Sequence, residues 1–137
     1  MGTRYLDLVD FLLIAEAALG VEVAVIQRTA SLHLAESALA APAAEFGGGE
    51  FYPDLATKAA ILCSRIIRNH PLPDGNKRVG YLCAVELVER NGLRWIPPRR
   101  DQDTGGDETV EMIVALAAGD VDEADFASWV AERVVGP

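Results

Sequence analysis

Nine consecutive residues, His70-Pro71-Leu72-Pro73-Asp74-Gly75-Asn76-Lys77-Arg78, bring together a proton acceptor, a carboxylate, a glycine, an amide and two cations. That set suits chemistry on a phosphate. Histidine is the side-chain type that exchanges a proton near neutral pH, so His70 is the candidate base. Asp74 can hold Mg²⁺ through one carboxylate while phosphate oxygens and water complete the octahedron. Gly75 lets the backbone approach a ligand closely, Asn76 adds a side-chain donor, and Lys77 and Arg78 bring positive charge to an otherwise acidic chain. The two prolines flanking Leu72 restrict the segment, as a site that keeps these groups in register requires.

Each group also has a plain structural use. Asp-Gly is ordinary turn chemistry, a His at a helix end is often a cap, and a Lys-Arg pair in a first turn can simply be solvated. Helical periodicity stops at His70 and resumes at Asn76, so the segment leads into a helix N-terminus, with about half a positive charge and four unpaired N–H donors. Two cations there oppose the macrodipole, which favours an anion as their partner. Phosphate is the ligand this predicts.

The elements that must hold the segment are helical. A first helix runs from Leu8, capped by Asp7, to Leu19, with Gly20 as its stop, and the β-branched run Val21 to Ile26 is expected to be extended. A second helix follows Ser31, turns Leu34, Ala35, Ala38 and Leu39 inward, and stops near Pro42. Residues 43–54, with three successive glycines and aromatic shoulders at Phe46, Phe51 and Tyr52, read as a mobile surface loop. It is not a Walker loop, since no Lys-Ser or Lys-Thr follows. A third helix from Leu55 to about Asn69 sets Lys58, Ser64, Arg65 and Arg68 opposite its apolar stripe. The next, Asn76 to Arg90, is apolar on every face between Tyr81 and Val85, which predicts a central position, and Asn91-Gly92 ends it. Beyond a charged loop at 99–106, Asp107 caps a helix with Val110, Ile113, Val114 and Ala117 inward. A last helix from about Asp122 buries Phe126, Trp129, Val130 and Val134. The expected architecture is all-α, one domain over residues 1–137, with about six helices around the helix at 76–91.

Composition agrees with a folded domain: half of the 137 residues are apolar and 24% are charged. Twelve basic against twenty-one acidic side chains give a net charge of −9, which repels a nucleic-acid backbone and speaks against direct nucleic-acid binding. There is no apolar run of the roughly 18 to 20 residues that a bilayer span needs and no secretory leader pattern, so a cytoplasmic location without membrane attachment is expected. Cys63 and Cys83 lack C-x-x-C spacing and sit in apolar helical patterns, as small core residues do.

The segment from His70 to Arg78 resembles the signature of the Fic/Doc family, H-x-F-x-[DE]-G-N-[GK]-R, and Lys77 at its eighth position resembles the Doc (death-on-curing) toxin branch of toxin–antitoxin systems. The resemblance extends over most of the chain, through Glu36-Ser37-Ala38-Leu39, Tyr52-Pro53, Lys58-Ala59-Ala60, Asn91-Gly92, Ala117-Ala118-Gly119-Asp120 and the final Trp129 helix. It implies an all-helical Fic fold in which His70 is the general base on a Ser or Thr hydroxyl of a target protein. Asp74 would ligate Mg²⁺, and Gly75, Asn76 and Lys77 would bind the phosphates of ATP. Arg78 would contact a phosphate or anchor the loop, and Arg68 would face the nucleotide.

Family branches differ in the phosphate attacked. Typical Fic enzymes carry Gly where this chain has Lys77, and a second Arg where it has Tyr81, and they transfer AMP. The Doc-like branch, similar on both counts, transfers the γ-phosphoryl group, and translation elongation factor Tu is the target it implies. AMP transfer is the alternative activity. A degenerate domain that only binds an antitoxin is a third reading, resting on Leu72 in place of the motif's Phe and on Ala30-Ser31 in place of an Arg-Asp pair. The family's inhibitory pattern, [ST]-x-x-x-E-[GN], is approached by Thr104 to Glu108 and by Ser128 to Glu132, but Thr109 and Arg133 break its last position. Inhibition in trans by a small antitoxin is therefore expected, with the Gly47-Gly48-Gly49 loop as the docking place of the target.

Overall fold

The computed structural model describes residues 2–103 and 105–137. Asp7 and Asp10 form a reciprocal capping box at 2.9 Å in both directions, and Gly20, at φ 67°, closes α1 (Leu8–Leu19). The run expected to be extended is instead largely helical, as α2 (Val23–Thr29). The Glu16 carboxylate accepts the Val23 N–H at 2.9 Å and Ile26 enters the core, so packing overrides the β-branched preference. Ser31 caps α3 (Leu32–Ala40), whose Ala35, Ala38 and Leu39 are buried while Leu34, expected inside, is exposed.

A 3₁₀ turn at Ala41–Ala43 leads to a hairpin where a loop was expected. Strands β1 (Glu45–Phe46) and β2 (Gly49–Glu50) pair antiparallel, with Phe46 opposite Gly49. Gly47 and Gly48 take φ of 60° and 83°, the two positive values that a two-residue turn matching strand twist demands. Phe46 and Phe51 stack at 6.5 Å and both face solvent.

Asp54 caps α4 (Leu55–Asn69), and after the motif segment α5 (Asn76–Arg90) returns against it. The two helices approach closely at Gly80, where an added Cβ would lie 3.1 Å from the Cys63 carbonyl oxygen. Cys63 and Cys83 are core residues, and burial raises both thiols, that of Cys83 to about 12. Since α4 packs on α3, α5, α7 and α8 while α5 packs on α1, α4 and α7, the centre belongs to the pair rather than to α5 alone. Two residues expected on the polar side of α4 are buried, Lys58 and Ser64. Burial works against the Lys58 charge, but Glu50 at 2.9 Å and the neighbouring Tyr5 outweigh it and hold its pKa up.

Strand β3 (Arg94–Trp95) is followed by α6 (Arg99–Asp103), α7 (Glu108–Ala118), α8 (Glu123–Arg133) and β4 (Val134–Val135), which pairs antiparallel with β3. Val134 thus lies in a strand rather than on the last helix. The cap expected from Asp107 comes from Asp101, whose carboxylate accepts the N–H groups of Glu108 at 2.7 Å and Thr109 at 3.2 Å. On α7, Ile113 and Leu116 are buried but Val110 and Val114 are exposed, a rotation of the inner face from the expected one. Two short helices, α2 and α6, raise the number among the described residues to eight. One buried cluster runs from Leu6 to Val130 and joins all the long helices, and no described helix is long and apolar enough to cross a membrane.

Candidate active site

The motif segment is the corner between α4 and α5. His70 follows the last turn of α4 in the left-handed conformation, φ 53° and ψ 54°, with its N–H donating to the Ile66 carbonyl at 3.1 Å. Among the described residues it is the one non-glycine with positive φ. Pro71 and Leu72 turn inward; Leu72 is 3% exposed, so it fills the apolar position that the family pattern gives to Phe. The Ser31 N–H donates to the Pro71 carbonyl at 2.8 Å, and Asn69 Nδ2 donates to the Leu34 carbonyl at 3.1 Å, fastening the corner to α3 and its cap.

Asn76 has a different task from the one its type suggested. Its Oδ1 accepts the Leu72 N–H at 3.0 Å and its Nδ2 donates to the Leu72 carbonyl at 2.9 Å, so the buried amide staples the segment to the first turn of α5. Its side chain is committed to Leu72; its backbone N–H is what it can offer a ligand. Gly75 begins the helix at φ 88°, with the Leu19 side chain in the space a Cβ would take. No side chain caps this end and no acidic residue stands in its first turn. One oxygen of Asp74 accepts the Gly75 N–H at 2.8 Å, and this carboxylate is exposed.

Lys77 and Arg78 are both exposed on that first turn, and Arg78 Nη1 donates to the Ala18 carbonyl at 3.2 Å, anchoring the corner to the end of α1. Together His70, Asp74, Gly75, Asn76, Lys77 and Arg78 line one cleft of about 500 Å³, completed by Leu19, Ile67 and Ala117. Arg68 does not share it. Its guanidinium lies 3.3 Å from Glu123 and lines the adjoining cavity of about 800 Å³ between α4 and the α7–α8 turn. Glu123 also accepts from Ser64 at 2.6 Å and from Arg65 Nε at 2.9 Å. Burial raises its pKa, but the Arg65 and Ser64 bonds outweigh that and hold it below the usual carboxylate value.

A cleft built on a helix N-terminus without a side-chain cap, with an imidazole at the preceding corner, has the donors and the proton acceptor that chemistry on a phosphate requires. The Fic/DOC family model matches residues 5–88, which includes the whole segment from His70 to Arg78. The chain belongs to the Fic/DOC family. It is 34% identical over 136 residues to the curated "Toxin Doc" of Mycolicibacterium smegmatis, covering 98% of this chain and 99% of that one. The Fic/DOC family comprises nucleotide-using transferases that act on proteins.

The contributions of Leu19 and Ala117 to the cleft, and of Glu123 to the adjoining cavity, had no signal in the sequence, because all three arise only through tertiary packing. Of the two segments approaching the family's inhibitory pattern, Thr104 lies outside the described residues. In the other, the Ser128 hydroxyl donates to the Ala124 carbonyl at 3.3 Å along the exposed side of α8.

Proposed function

We propose that this chain is a one-domain, Doc-like toxin that transfers the γ-phosphoryl group of ATP to a Ser or Thr hydroxyl of a target protein in the cytoplasm, with elongation factor Tu as the target. The observation that carries the reading is the uncapped first turn of α5 sharing a cleft with His70. Backbone N–H groups of that turn, with Lys77, bind phosphate oxygens, and Arg78 adds charge at the edge of the cleft. His70 takes the proton of the attacking hydroxyl as its oxygen bonds the γ-phosphorus and the bond to the β-phosphate oxygen breaks, releasing ADP. Asp74 has an exposed carboxylate beside the phosphate cradle and fits a Mg²⁺ partner, which would neutralise charge between phosphates.

Tyr81 supports phosphoryl transfer over AMP transfer. Where the AMP-transferring pattern has a second Arg, the Tyr81 ring packs edge-on against Trp95 at 5.6 Å, so position 81 brings no cation to the nucleotide. The buried Leu72 and its bonds to Asn76 likewise support a working site rather than a degenerate one. The similarity to a Doc toxin supports a small antitoxin as the partner that restrains it. The exposed Phe46–Phe51 pair on the β1–β2 hairpin supports docking of the target there.

Label transfer into bacterial lysate tests the reading, with ATP labelled at the γ- or the α-phosphate and His70→Ala as control. A positioned base contributes about 10² to 10⁴ in rate, so the expected result is a band from the γ-label alone that vanishes in the variant. A band from the α-label means AMP transfer, and silence with both labels means the site is not catalytic on that proteome.

A further inference from the structure

Glu123 is a carboxylate with more donors than it can serve equally. Its Oε2 takes Ser64 Oγ at 2.6 Å, Arg65 Nε at 2.9 Å and Arg68 Nη2 at 3.3 Å, while Oε1 takes Arg65 Nη2 at 3.3 Å. Arg65 is therefore the committed partner, bidentate and tied also to the Tyr52 hydroxyl at 3.2 Å. Arg68 is the loosest of the three, 61% exposed, with a single contact from a fork of five N–H donors. It stands two residues before His70 and lines the larger of two cavities that share Ile67 and Ala117 as common walls. One cavity holds the phosphate cradle; the other contains Glu123.

We propose that Glu123 is a positioning residue that competes with bound nucleotide for Arg68, so that Arg68 is parked on α8 in the empty protein and is drawn toward the phosphates when ATP binds. This rests on the reading that ATP occupies the motif cleft. The competition follows from charge. A guanidinium two residues from His70, in the cavity adjoining the motif cleft, gains more from a polyanion than from one-third of a carboxylate already neutralised by Arg65. A half-exposed ion pair with one long contact contributes little by itself, so its release is a small toll on binding rather than a lock. Ser64 and Arg65 keep Glu123 in place afterwards, and α8 need not move. The pair thus sets nucleotide affinity without touching the reacting atoms.

Calorimetric titration of the full chain with Mg-ATP tests this through the four corners of a mutant cycle: the native chain, Glu123→Gln, Arg68→Ala and the double variant. Glu123→Gln is expected to tighten ATP binding about two- to fivefold, Arg68→Ala to weaken it about tenfold, and the double variant to match Arg68→Ala, because the gain exists only through Arg68. A gain that persists without Arg68 overturns the competition and leaves a general charge effect. Unchanged or weaker binding by a folded Glu123→Gln overturns it as well. If Glu123→Gln does not fold, as circular dichroism would reveal, Glu123→Asp withdraws the carboxylate by one methylene and first affects the two 3.3 Å contacts, of which the one to Arg68 has no shorter companion bond to hold it. The same Arg68-dependent tightening supports the proposal, and its absence overturns it. Failure of the native chain to bind Mg-ATP sinks the nucleotide reading itself and the competition with it, whereas native binding without an Arg68-dependent gain sinks only the competition.

Discussion

The two ends of α5 are built to opposite rules. At the C-terminal end side chains close the helix: Asn91 Nδ2 donates to the carbonyls of Arg4 at 3.0 Å and Leu87 at 2.7 Å, and its Oδ1 accepts the Arg4 N–H at 2.7 Å. Arg90 pairs there with Asp10 at 2.7 Å and Glu86 at 3.2 Å, a cation where the helix dipole favours one. At the N-terminal end no side chain caps the helix and two cations stand where the dipole disfavours them. Under the proposed function one helix divides its ends between stability and ligand, and the difference teaches which substitutions are expected to affect folding and which chemistry.

The strongest way to break the comparison is to cut the staple that lets the N-terminal end remain ordered without a cap. Asn76→Ala leaves the buried N–H and C=O of Leu72 unpaired, which costs about 2 to 4 kcal/mol and releases the corner that carries His70. Phosphoryl transfer is expected to fall at least as far as about 10²-fold, with a lower melting temperature; loss of only one of the two would show that the staple and the site are independent.

A smaller effect is expected from the other end. Arg90→Ala should lower stability by about 1 to 2 kcal/mol in chemical denaturation while leaving Mg-ATP affinity unchanged. The same pair has a pH signature. Hydrogen bonds from Arg90 hold the Asp10 carboxyl at about 2, below its ordinary value near 3.8. A depressed folded-state pKa contributes stability that is fully present above the unfolded value, so it is lost as pH falls from about 4 through about 2. Asp10→Asn removes this component of the acid transition, and an unaltered acid transition in that variant would assign the depression elsewhere.

The smallest effect has the opposite sign. Lys77→Glu puts an acid where the dipole favours one and should raise stability by about 0.3 to 1 kcal/mol, while Mg-ATP affinity falls by more than tenfold. A variant that gains stability and keeps its affinity would remove Lys77 from the phosphate site.

Much of this was legible in the chain because it is written locally. Asp7 with Gly20 and Asn91 with Gly92 set the bounds of α1 and the end of α5, and the run from His70 to Arg78 marked the corner between α4 and α5. What was hidden depends on distance. Val21 to Ile26 has strand-like side chains, and only the core position of Ile26 and the Glu16 contact make the segment helical. Lys58 read as a solvent residue because Glu50, on the hairpin, is what permits its burial. On α7 two apolar stripes compete, and the one carrying Ile113 and Leu116 turns inward because α4, α5 and α8 lie on that side. The family resemblance singled out Arg68 but could not show that a carboxylate fifty-five positions further on pairs with it.

One detail of the corner bears on the fate of the chain as it mutates. His70 holds its imidazole on a left-handed backbone, a conformation that burdens an L-residue by about 1 to 2 kcal/mol and glycine by almost nothing. The position proposed as the base is therefore one where the backbone alone would choose another residue. Selection for activity and selection for folding pull against each other at a single site. A lineage that no longer needs the reaction can discard it there and come away with a sturdier fold, leaving inactive copies that keep their helices, their cleft and their capacity to bind a partner.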